Sequence, residues 1–196
     1  MKTKFLDEII KRNEEVYLDN ILASLAVISN CLDLDNIDEK FFFNYNLPEG
    51  RGDCKHIKIN KKNIHLIDES YNSNPLSLEF ALNNFNKLKS KSKRKIILLG
   101  DMLELGKFSK KLHLEAAEII NNTGINRVYV YGKKIAYTFN KIRPQKKGKI
   151  LYSSKDVFNF LNNDIKDGEY LMVKGSNSTG LNTMLKKIKL GKINAI

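Results

Sequence analysis

The sequence predicts an α/β protein with a Rossmann-like, mostly parallel sheet flanked by helices and preceded by a short helical segment. From Cys54 onward, short apolar β-type runs alternate with helical patterns. This alternation is typical of βαβ units with right-handed crossovers. Two polar turns, residues 68–75 and 100–106, each follow an apolar run and precede a helical pattern. We expect such turns to meet at the carboxyl edge of the sheet, where folds of this class bind ligands.

The first part of the chain is predicted to be helical, over residues 1–32. Residues 21–28 are apolar nearly all round, which is typical of a helix packed on two sides. Residues 32–37 are predicted to close this region and to start a short turn or helix. One Pro and two Gly within residues 47–53 break any regular element, so this segment is the predicted hinge.

The sheet is predicted to begin with a hairpin, in which strands 57–59 and 64–67 flank a turn at residues 60–63. A helix follows, starting near Pro75. Its predicted buried face is Leu78, Leu82, Phe85 and Leu88. The other predicted elements are strand 95–99, a helix over 109–122 with Leu112, Ala116, Ile119 and Ile120 inward, strand 127–131, a short helix around 135–139, strand 149–152, a helix around 157–161, strand 170–173 and helix 181–188.

Length and composition predict a soluble protein with one core, or one core and an appendage, since 42% of 196 residues are hydrophobic. The sequence has no signal-peptide pattern and no apolar run of about 18 residues, so we expect a cytoplasmic location without membrane insertion. Cys31 and Cys54 are too few for a disulfide framework or a metal site. No metal ligand and no catalytic residue is predicted.

The net charge of +12 favours anionic partners such as nucleic acid, a membrane surface or phosphorylated small molecules. The lysines are scattered, however, and only residues 87–95 form a cluster, so a solvated Lys-rich surface is the simpler interpretation. A stripe of basic and aromatic residues is absent, and nucleic acid is not a predicted partner. The sequence also contains neither G-x-G-x-x-G nor G-x-x-x-x-G-K-[ST], so it has no recognisable phosphate cradle of its own.

The turn after residues 64–67 carries the side chains best suited to ligand chemistry. Asp68 and Glu69 could serve Mg²⁺, a ribose hydroxyl or a base; alternatively, one caps the next helix and the other is solvated. Asn72 and Asn74 follow, in a turn held by Pro75. Their amide groups suit the edge of a base or a sugar.

Three motifs in this chain resemble those of one enzyme family. Residues 67–75, Ile-Asp-Glu-Ser-Tyr-Asn-Ser-Asn-Pro, resemble the D-D-S-Y-N-A-N-P signature of the Mur ligases that join UDP-N-acetylmuramoyl-tripeptide to D-alanyl-D-alanine. Residues 99–106 match the L-G-D-M-L-E-L-G of these ligases, with His113 at the histidine that follows, and residues 173–176 resemble their V-K-G-S. On these motifs, the chain is identified as a member of this family that covers only its C-terminal portion.

The resemblance also implies how the chain divides. Residues 1–50 resemble the last helices and hinge of the family's central ATPase domain, and residues 51–196 resemble its C-terminal domain. Within the first part, residues 19–23 are similar to the H-N-x-x-N-A-L-A segment, with Asn20 on its second Asn. Arg51 falls on the Arg of the family's interdomain segment, which reaches the ATP phosphates.

The family's reaction uses ATP and Mg²⁺ to activate the terminal carboxylate of the precursor as an acyl phosphate, which the amine of D-Ala-D-Ala then attacks. By resemblance, Arg51 would neutralise phosphate charge, and Asp68 or Glu69 would hold the ribose. Asn72 and Asn74 would border the adenine. All the contacts that the resemblance implies are Asn20, Arg51, Asp68, Glu69, Tyr71, Asn72 and Asn74 for the nucleotide, and Lys174 and Ser176 for the dipeptide. Lys174 would pair with a carboxylate or be solvated, and His113 is more typical of packing or capping than of catalysis.

The chain departs from the family at several positions, and the departures leave a second hypothesis open. Tyr17, Glu69 and Asn177 replace the family's usual Asn, Asp and Arg, and the central-domain P-loop and metal ligands are not in this sequence. ATP and Mg²⁺ would therefore bind mainly to the central domain, and the chain alone should be inactive. A separate chain could carry the missing domains. The alternative is a non-catalytic Rossmann-like module that binds anionic ligands.

Overall fold

The computed structural model describes residues 15–33, 36–37, 48–90 and 93–190, with side chains from residue 21 onward. Contacts divide the chain into two units, residues 1–46 and 47–196. The predicted domain boundary after residue 50 stays a prediction.

The described part of the first unit is mainly one helix, α1 (Glu15–Ile28), which lies within the predicted helical region. Ile21 and Leu25 are buried, whereas Leu22 and Val27 are exposed. The side chains are therefore buried along one helical face, and the expectation of packing on two sides is wrong for the described residues. Predictions that fall on residues 1–14, 34–35 and 38–47 lie outside the described part of the chain.

The second unit is built on a six-stranded sheet. Its strands are β1 (Asp53–Ile59), β2 (Lys62–Glu69), β3 (Lys95–Gly100), β4 (Arg127–Tyr131), β5 (Lys147–Leu151) and β6 (Tyr170–Lys174), in the order β1-β2-β6-β3-β4-β5. β1 pairs antiparallel with β2, and the other four pairings are parallel. The predicted mostly parallel α/β fold is confirmed.

In the described part of this unit, five helices connect or follow the strands: α2 (Pro75–Lys87), α3 (Ser109–Asn121), α4 (Ala136–Lys141), α5 (Ser154–Asn159) and α6 (Leu181–Lys189). Three 3₁₀ segments occupy Gly106–Phe108, Pro144–Lys146 and Asn177–Thr179, and a π-helical turn, Phe160–Asp164, extends α5. A two-residue tip joins β1 to β2, so the predicted four-residue turn is too long. Asn60 reaches the left-handed region there, at φ 54°, which Asn tolerates better than most residues.

The start of α2 follows from its sequence. Asn74 accepts a hydrogen bond from the backbone N–H of Ser77 at 2.8 Å, and the Ser77 hydroxyl accepts one from the Asn74 N–H at 3.1 Å. This capping box satisfies N–H groups that the first helical turn leaves without partners. Pro75 has no N–H to satisfy and takes the first helical position.

The buried helix faces agree in part with the predicted ones. In α2, Leu78, Leu82 and Phe85 are buried as predicted, but Leu88 is 41% exposed because the chain leaves the helix there. In α3, the inward face consists of His113, Ala116, Ala117 and Ile120. The predicted Leu112 and Ile119 are only half-buried.

The sheet has a hydrophobic core on each face. α2 and α3 cover one core, which includes Ile97 and Met172, and α5 and α6 cover the other, which includes Leu98 and Val173. Because α5 returns the chain across the second face, β6 enters between β2 and β3. The loops after β6 and β3 therefore lead to helices on opposite faces, and such a topological switch point opens a crevice where ligands bind.

Candidate functional site

The two polar turns found in the sequence meet at the carboxyl edge of the sheet, and Ser176 joins them. Its backbone N–H donates to the Asp101 carbonyl at 3.0 Å. Its hydroxyl donates to the Ser73 carbonyl at 3.2 Å and accepts from the Leu103 N–H at 2.9 Å. Since β6 separates β2 from β3, this buried side chain bridges the loops after both strands.

Two adjacent cavities open at this edge. The first, of about 220 Å³, is lined by Tyr71, Asn72, Leu103, Glu104, Ser176, Asn177 and Ser178. The second, of about 340 Å³, is lined by Asp101, Leu103, Tyr131, Gly132, Lys133, Leu151, Tyr152, Ser178 and Thr179. They share Leu103 and Ser178. Glu104, on the wall of the first cavity, has φ 62°, and a non-glycine residue in this region is uncommon and often marks a functional loop.

Arg51, from the predicted hinge, is docked on the rim of the first cavity. Its guanidinium carbon lies 4.2 Å from the centre of the Tyr71 ring, and both side chains are exposed. The Tyr71 N–H donates to the Gly50 carbonyl at 3.0 Å. Gly50 has φ 81°, and a Cβ there would lie 3.0 Å from the Tyr71 nitrogen, so this close approach requires glycine. The predicted residues Arg51, Tyr71 and Asn72 are therefore brought together at the surface.

Asp68 lies beneath this rim in an ionic network. It is 2% exposed, and one carboxylate oxygen accepts hydrogen bonds from the N–H and the hydroxyl of Ser70, at 2.9 and 2.6 Å. The other oxygen lies 2.5 Å from the Lys189 ammonium, which also contacts Asp53 at 3.1 Å and Glu49 at 3.4 Å. Burial lowers the pKa of Lys189, but the hydrogen bond and charge of Asp68 outweigh it, so the pKa is raised overall. Both oxygens of Asp68 are thus engaged within the protein.

Glu69 and Lys174 form a second ion pair. Lys174 is buried, donates a hydrogen bond to the Asn72 carbonyl at 3.0 Å and lies 3.4 Å from a Glu69 oxygen. Burial lowers the pKa of Lys174 and raises the pKa of Glu69, while their mutual attraction opposes both changes. Of the two options open from the sequence, Lys174 therefore pairs with a carboxylate.

The remaining predicted residues have different surroundings. The Asn74 side-chain oxygen caps α2, and Ser176 is buried at the junction of the loops. Asn20 lies in α1, but its side chain is outside the described part of the structure. No role was predicted from the sequence for Asp101, Lys133, Tyr152 or Thr179, which line the second cavity. Their positions at or after the ends of the predicted strands 95–99, 127–131, 149–152 and 170–173 were the available signal.

His113 supports the loop after β3 from inside the protein. Its Nε2 accepts a hydrogen bond from the Met102 N–H at 3.1 Å, and Nδ1 is 2.7 Å from the Ser109 carbonyl, to which it must donate. This pattern requires a neutral imidazole with the proton on Nδ1. Burial lowers the pKa of His113, and the hydrogen bond to Ser109 opposes this only in part. The structure gives His113 the packing role that the sequence favoured.

His113 should make the protein less stable in mild acid. Because its pKa is lower in the folded state, the unfolded chain binds a proton first as the pH falls below about 6.5, and stability falls by up to about 1.4 kcal/mol per pH unit until the folded pKa is reached. His65, whose pKa burial also lowers, acts in the same direction. Urea denaturation at a series of pH values between 5 and 7 should show that the free energy of unfolding depends less steeply on pH for His113→Gln than for the unmodified chain. His65→Asn provides the parallel comparison. If the free energy of unfolding depended equally on pH for His113→Gln and for the unmodified chain, this role of His113 would be contradicted.

The described residues, 15–33, 36–37, 48–90 and 93–190, form neither a metal-binding cluster nor a membrane-spanning helix. No group of three or more His, Cys, Asp or Glu side chains among them is placed to hold a metal ion. No helix formed by these residues has the length and apolar character needed to span a bilayer.

Comparison with known proteins identifies the family to which this chain belongs. Residues 54–177 match the family described as Mur ligase, glutamate ligase domain. The UDP-N-acetylmuramoyl-tripeptide–D-alanyl-D-alanine ligase of Rickettsia prowazekii is 26% identical over 185 residues, which are 94% of this chain and 40% of that protein. The ligase of the same name from Bacillus subtilis is 27% identical over 128 residues, or 64% of this chain and 28% of that protein. The chain thus spans less than half the length of these curated relatives.

Solved structures show the same fold. The MurF ligase of Thermotoga maritima, in complex with ADP, is similar with a TM-score of 0.70 at 21% identity, over 90% of this chain and 38% of that one. A MurF structure from Acinetobacter baumannii gives a TM-score of 0.73 at 20% identity, with the same coverage of both chains. This likeness establishes the fold of the chain.

Proposed function

Because the chain belongs to the Mur ligase family through its glutamate ligase domain, we propose that it supplies the C-terminal part of an ATP-dependent ligase. That ligase would add D-Ala-D-Ala to UDP-N-acetylmuramoyl-tripeptide in peptidoglycan precursor synthesis, as the names of its curated relatives indicate. The observation that carries this proposal is the exposed Arg51–Tyr71 pair beside a cavity at the switch point of the sheet. The N-terminal and central domains would belong to the rest of a longer chain or to a separate chain.

In the proposed reaction, the precursor carboxylate attacks the γ-phosphate of ATP, and ADP leaves. The amine of D-Ala-D-Ala then attacks the acyl phosphate, and the tetrahedral intermediate collapses with loss of inorganic phosphate to give the peptide bond. Arg51 would contribute positive charge toward the phosphates, because a planar guanidinium binds their oxygens in a bidentate manner. Asn72 would border the adenine. Glu69 is the better candidate for the ribose, since its side chain is 23% exposed whereas that of Asp68 is only 3% exposed.

The second cavity suits the incoming dipeptide. Lys133 offers an ammonium to a terminal carboxylate, and the cavity lies next to the one assigned to the nucleotide. The predicted dipeptide residues, Lys174 and Ser176, would act by holding the loops around these cavities, since both are buried. The described residues contain no group of three or more His, Cys, Asp or Glu side chains placed to hold a metal ion, and we propose that Mg²⁺ binds mainly through the central domain.

The proposal is tested by complementation. The N-terminal and central domains would be supplied as a separate chain, and ADP release would be measured with the tripeptide precursor and D-Ala-D-Ala. The 196-residue chain alone should release no ADP, because its sequence lacks a P-loop, and the mixture should release ADP in proportion to ligated product. No ADP release from the mixture under saturating substrates would contradict the proposal.

Arg51→Lys should lower the complemented rate by about 10- to 100-fold, because an ammonium keeps the charge but loses the bidentate geometry and the stacking on Tyr71. Arg143→Lys is the matched control, since Arg143 is exposed, immediately precedes the 3₁₀ segment Pro144–Lys146 and lines neither cavity. Its rate should equal that of the unmodified chain. The rate of ADP release is the measurement. Equal rates for Arg51→Lys and Arg143→Lys would show that Arg51 does not belong to the site.

The alternative function is a non-catalytic module that binds anionic ligands at the same rim. The exposed guanidinium of Arg51 and the net charge of +12 favour it. Calorimetric titration with ATP, inorganic phosphate and D-Ala-D-Ala separates the two hypotheses. A ligase domain should distinguish ATP from phosphate, whereas a general anion-binding module should bind both with similar affinity.

A further inference from the structure

We propose that Lys174 is a positioning residue that fixes the turn of residues 69–72 and, through it, the Arg51–Tyr71 pair in the geometry that binds a nucleotide. The part of this inference that concerns nucleotide binding rests on the proposed function. The fixing of the turn rests on the structure alone. Lys174 thus acts through the rim instead of contacting a ligand itself.

The position of Lys174 follows from the register of the sheet. At the end of β6, it stands opposite Glu69 of β2 on one side and Leu99 of β3 on the other. The side chain is 2% exposed, so its ammonium needs partners within the protein. It finds them at both ends of one turn, namely the Glu69 carboxylate at 3.4 Å and the Asn72 carbonyl at 3.0 Å.

The turn of residues 69–72 also determines where Arg51 lies. Tyr71, between the two contacts of Lys174, donates its N–H to Gly50 at 3.0 Å and places its ring 4.2 Å from the Arg51 guanidinium carbon. A shift of the turn would therefore move the aromatic ring and the loop that carries Arg51 together. Without Lys174, the Asn72 carbonyl would lose a charged donor, and the turn could rearrange to seek water.

A simpler role would be charge neutralisation of Glu69, and a double-variant cycle separates the two roles. Lys174→Met removes both contacts but leaves the Glu69 carboxylate without its partner, which is expected to destabilise the fold by itself. Lys174→Met combined with Glu69→Gln removes that unpaired charge but still lacks the contact to Asn72. Glu69→Gln alone keeps Lys174 and is the reference, because Glu69 itself belongs to the proposed nucleotide site.

The urea midpoint and the amide hydrogen exchange of residues 70–73 would be measured on the 196-residue chain, and ATP affinity would be measured by calorimetry with the N-terminal and central domains present. Relative to Glu69→Gln, we expect the double variant to keep a similar midpoint, to exchange the Tyr71 and Ser73 amides about tenfold faster, and to bind ATP about tenfold more weakly. Exchange rates and ATP affinity equal to those of Glu69→Gln would overturn the proposal and leave charge neutralisation as the role of Lys174.

Failure of the proposed function gives a different result from failure of this inference. If the unmodified chain does not raise the ATP affinity of the other domains, the nucleotide assignment fails. The exchange rates still decide the role of Lys174 in that case: faster exchange confined to residues 70–73 supports it, and unchanged exchange overturns it.

Discussion

Lys189→Met is expected to lower the free energy of unfolding by about 3–5 kcal/mol, because it leaves a buried carboxylate without its cation. The ammonium lies 2.5 Å from Asp68 and 3.1 Å from Asp53, and all three side chains are largely buried. Asp53 also accepts a hydrogen bond from the Gly50 N–H at 2.8 Å, so the same change should loosen the loop that carries Arg51. Urea denaturation at pH 7 measures the effect.

Lys186→Met is the matched control on the same helix. Lys186 is 59% exposed and lies 3.6 Å from Glu49, and exposed pairs of this kind contribute at most about 1 kcal/mol. Adding Asp68→Asn to Lys189→Met should recover part of the loss, since the unpaired charge is then removed. If Lys189→Met were no more destabilising than Lys186→Met, the network around Asp68 would not support the fold.

Phe85→Ala should also lower the free energy of unfolding by about 3–5 kcal/mol, the usual range for a large core residue. Phe85 is 2% exposed and lies in the core between α2, α3 and the sheet, with Leu82, Ile97 and Ile120 in the same cluster. The loss combines the burial free energy of the ring with the cost of the cavity that remains. Thermal or urea unfolding, followed by far-ultraviolet circular dichroism, provides the measurement.

Phe80→Ala removes the same side chain from the other side of α2, where Phe80 is 50% exposed. Its effect should be below about 1 kcal/mol, as for most surface substitutions. Similar losses for the two variants would show that α2 does not pack as described. Together, the pair tests the face of α2 that the spacing of apolar residues predicted.

Local sequence patterns account for most of the secondary structure. The capping box at Asn74 and Ser77 and the helical spacing of Leu78, Leu82 and Phe85 are encoded within a few residues of each other. The end of α2 was less predictable, because Leu88 continues the apolar spacing while the backbone has already left the helix. The order of strands and helices also follows from the sequence, because β-type and helical patterns alternate along the chain and each pattern has its own spacing of apolar residues.

The sequence by itself determined the α/β class, the polar turn after β2 and the three motifs that identify the family, whereas the cap of α2 is Asn74 and not Asp68 or Glu69. Only the tertiary structure decided which charged groups pair with one another. Asp68 and Glu69 are neighbours in the chain, yet Asp68 is neutralised by Lys189 and Glu69 pairs with Lys174, residues that lie 121 and 105 positions later. The reason is that β6 enters between β2 and β3 through a crossover on the opposite face, which places Lys174 beside Glu69. The helix that follows β6 then carries Lys189 to Asp68, and no local pattern specifies either partner.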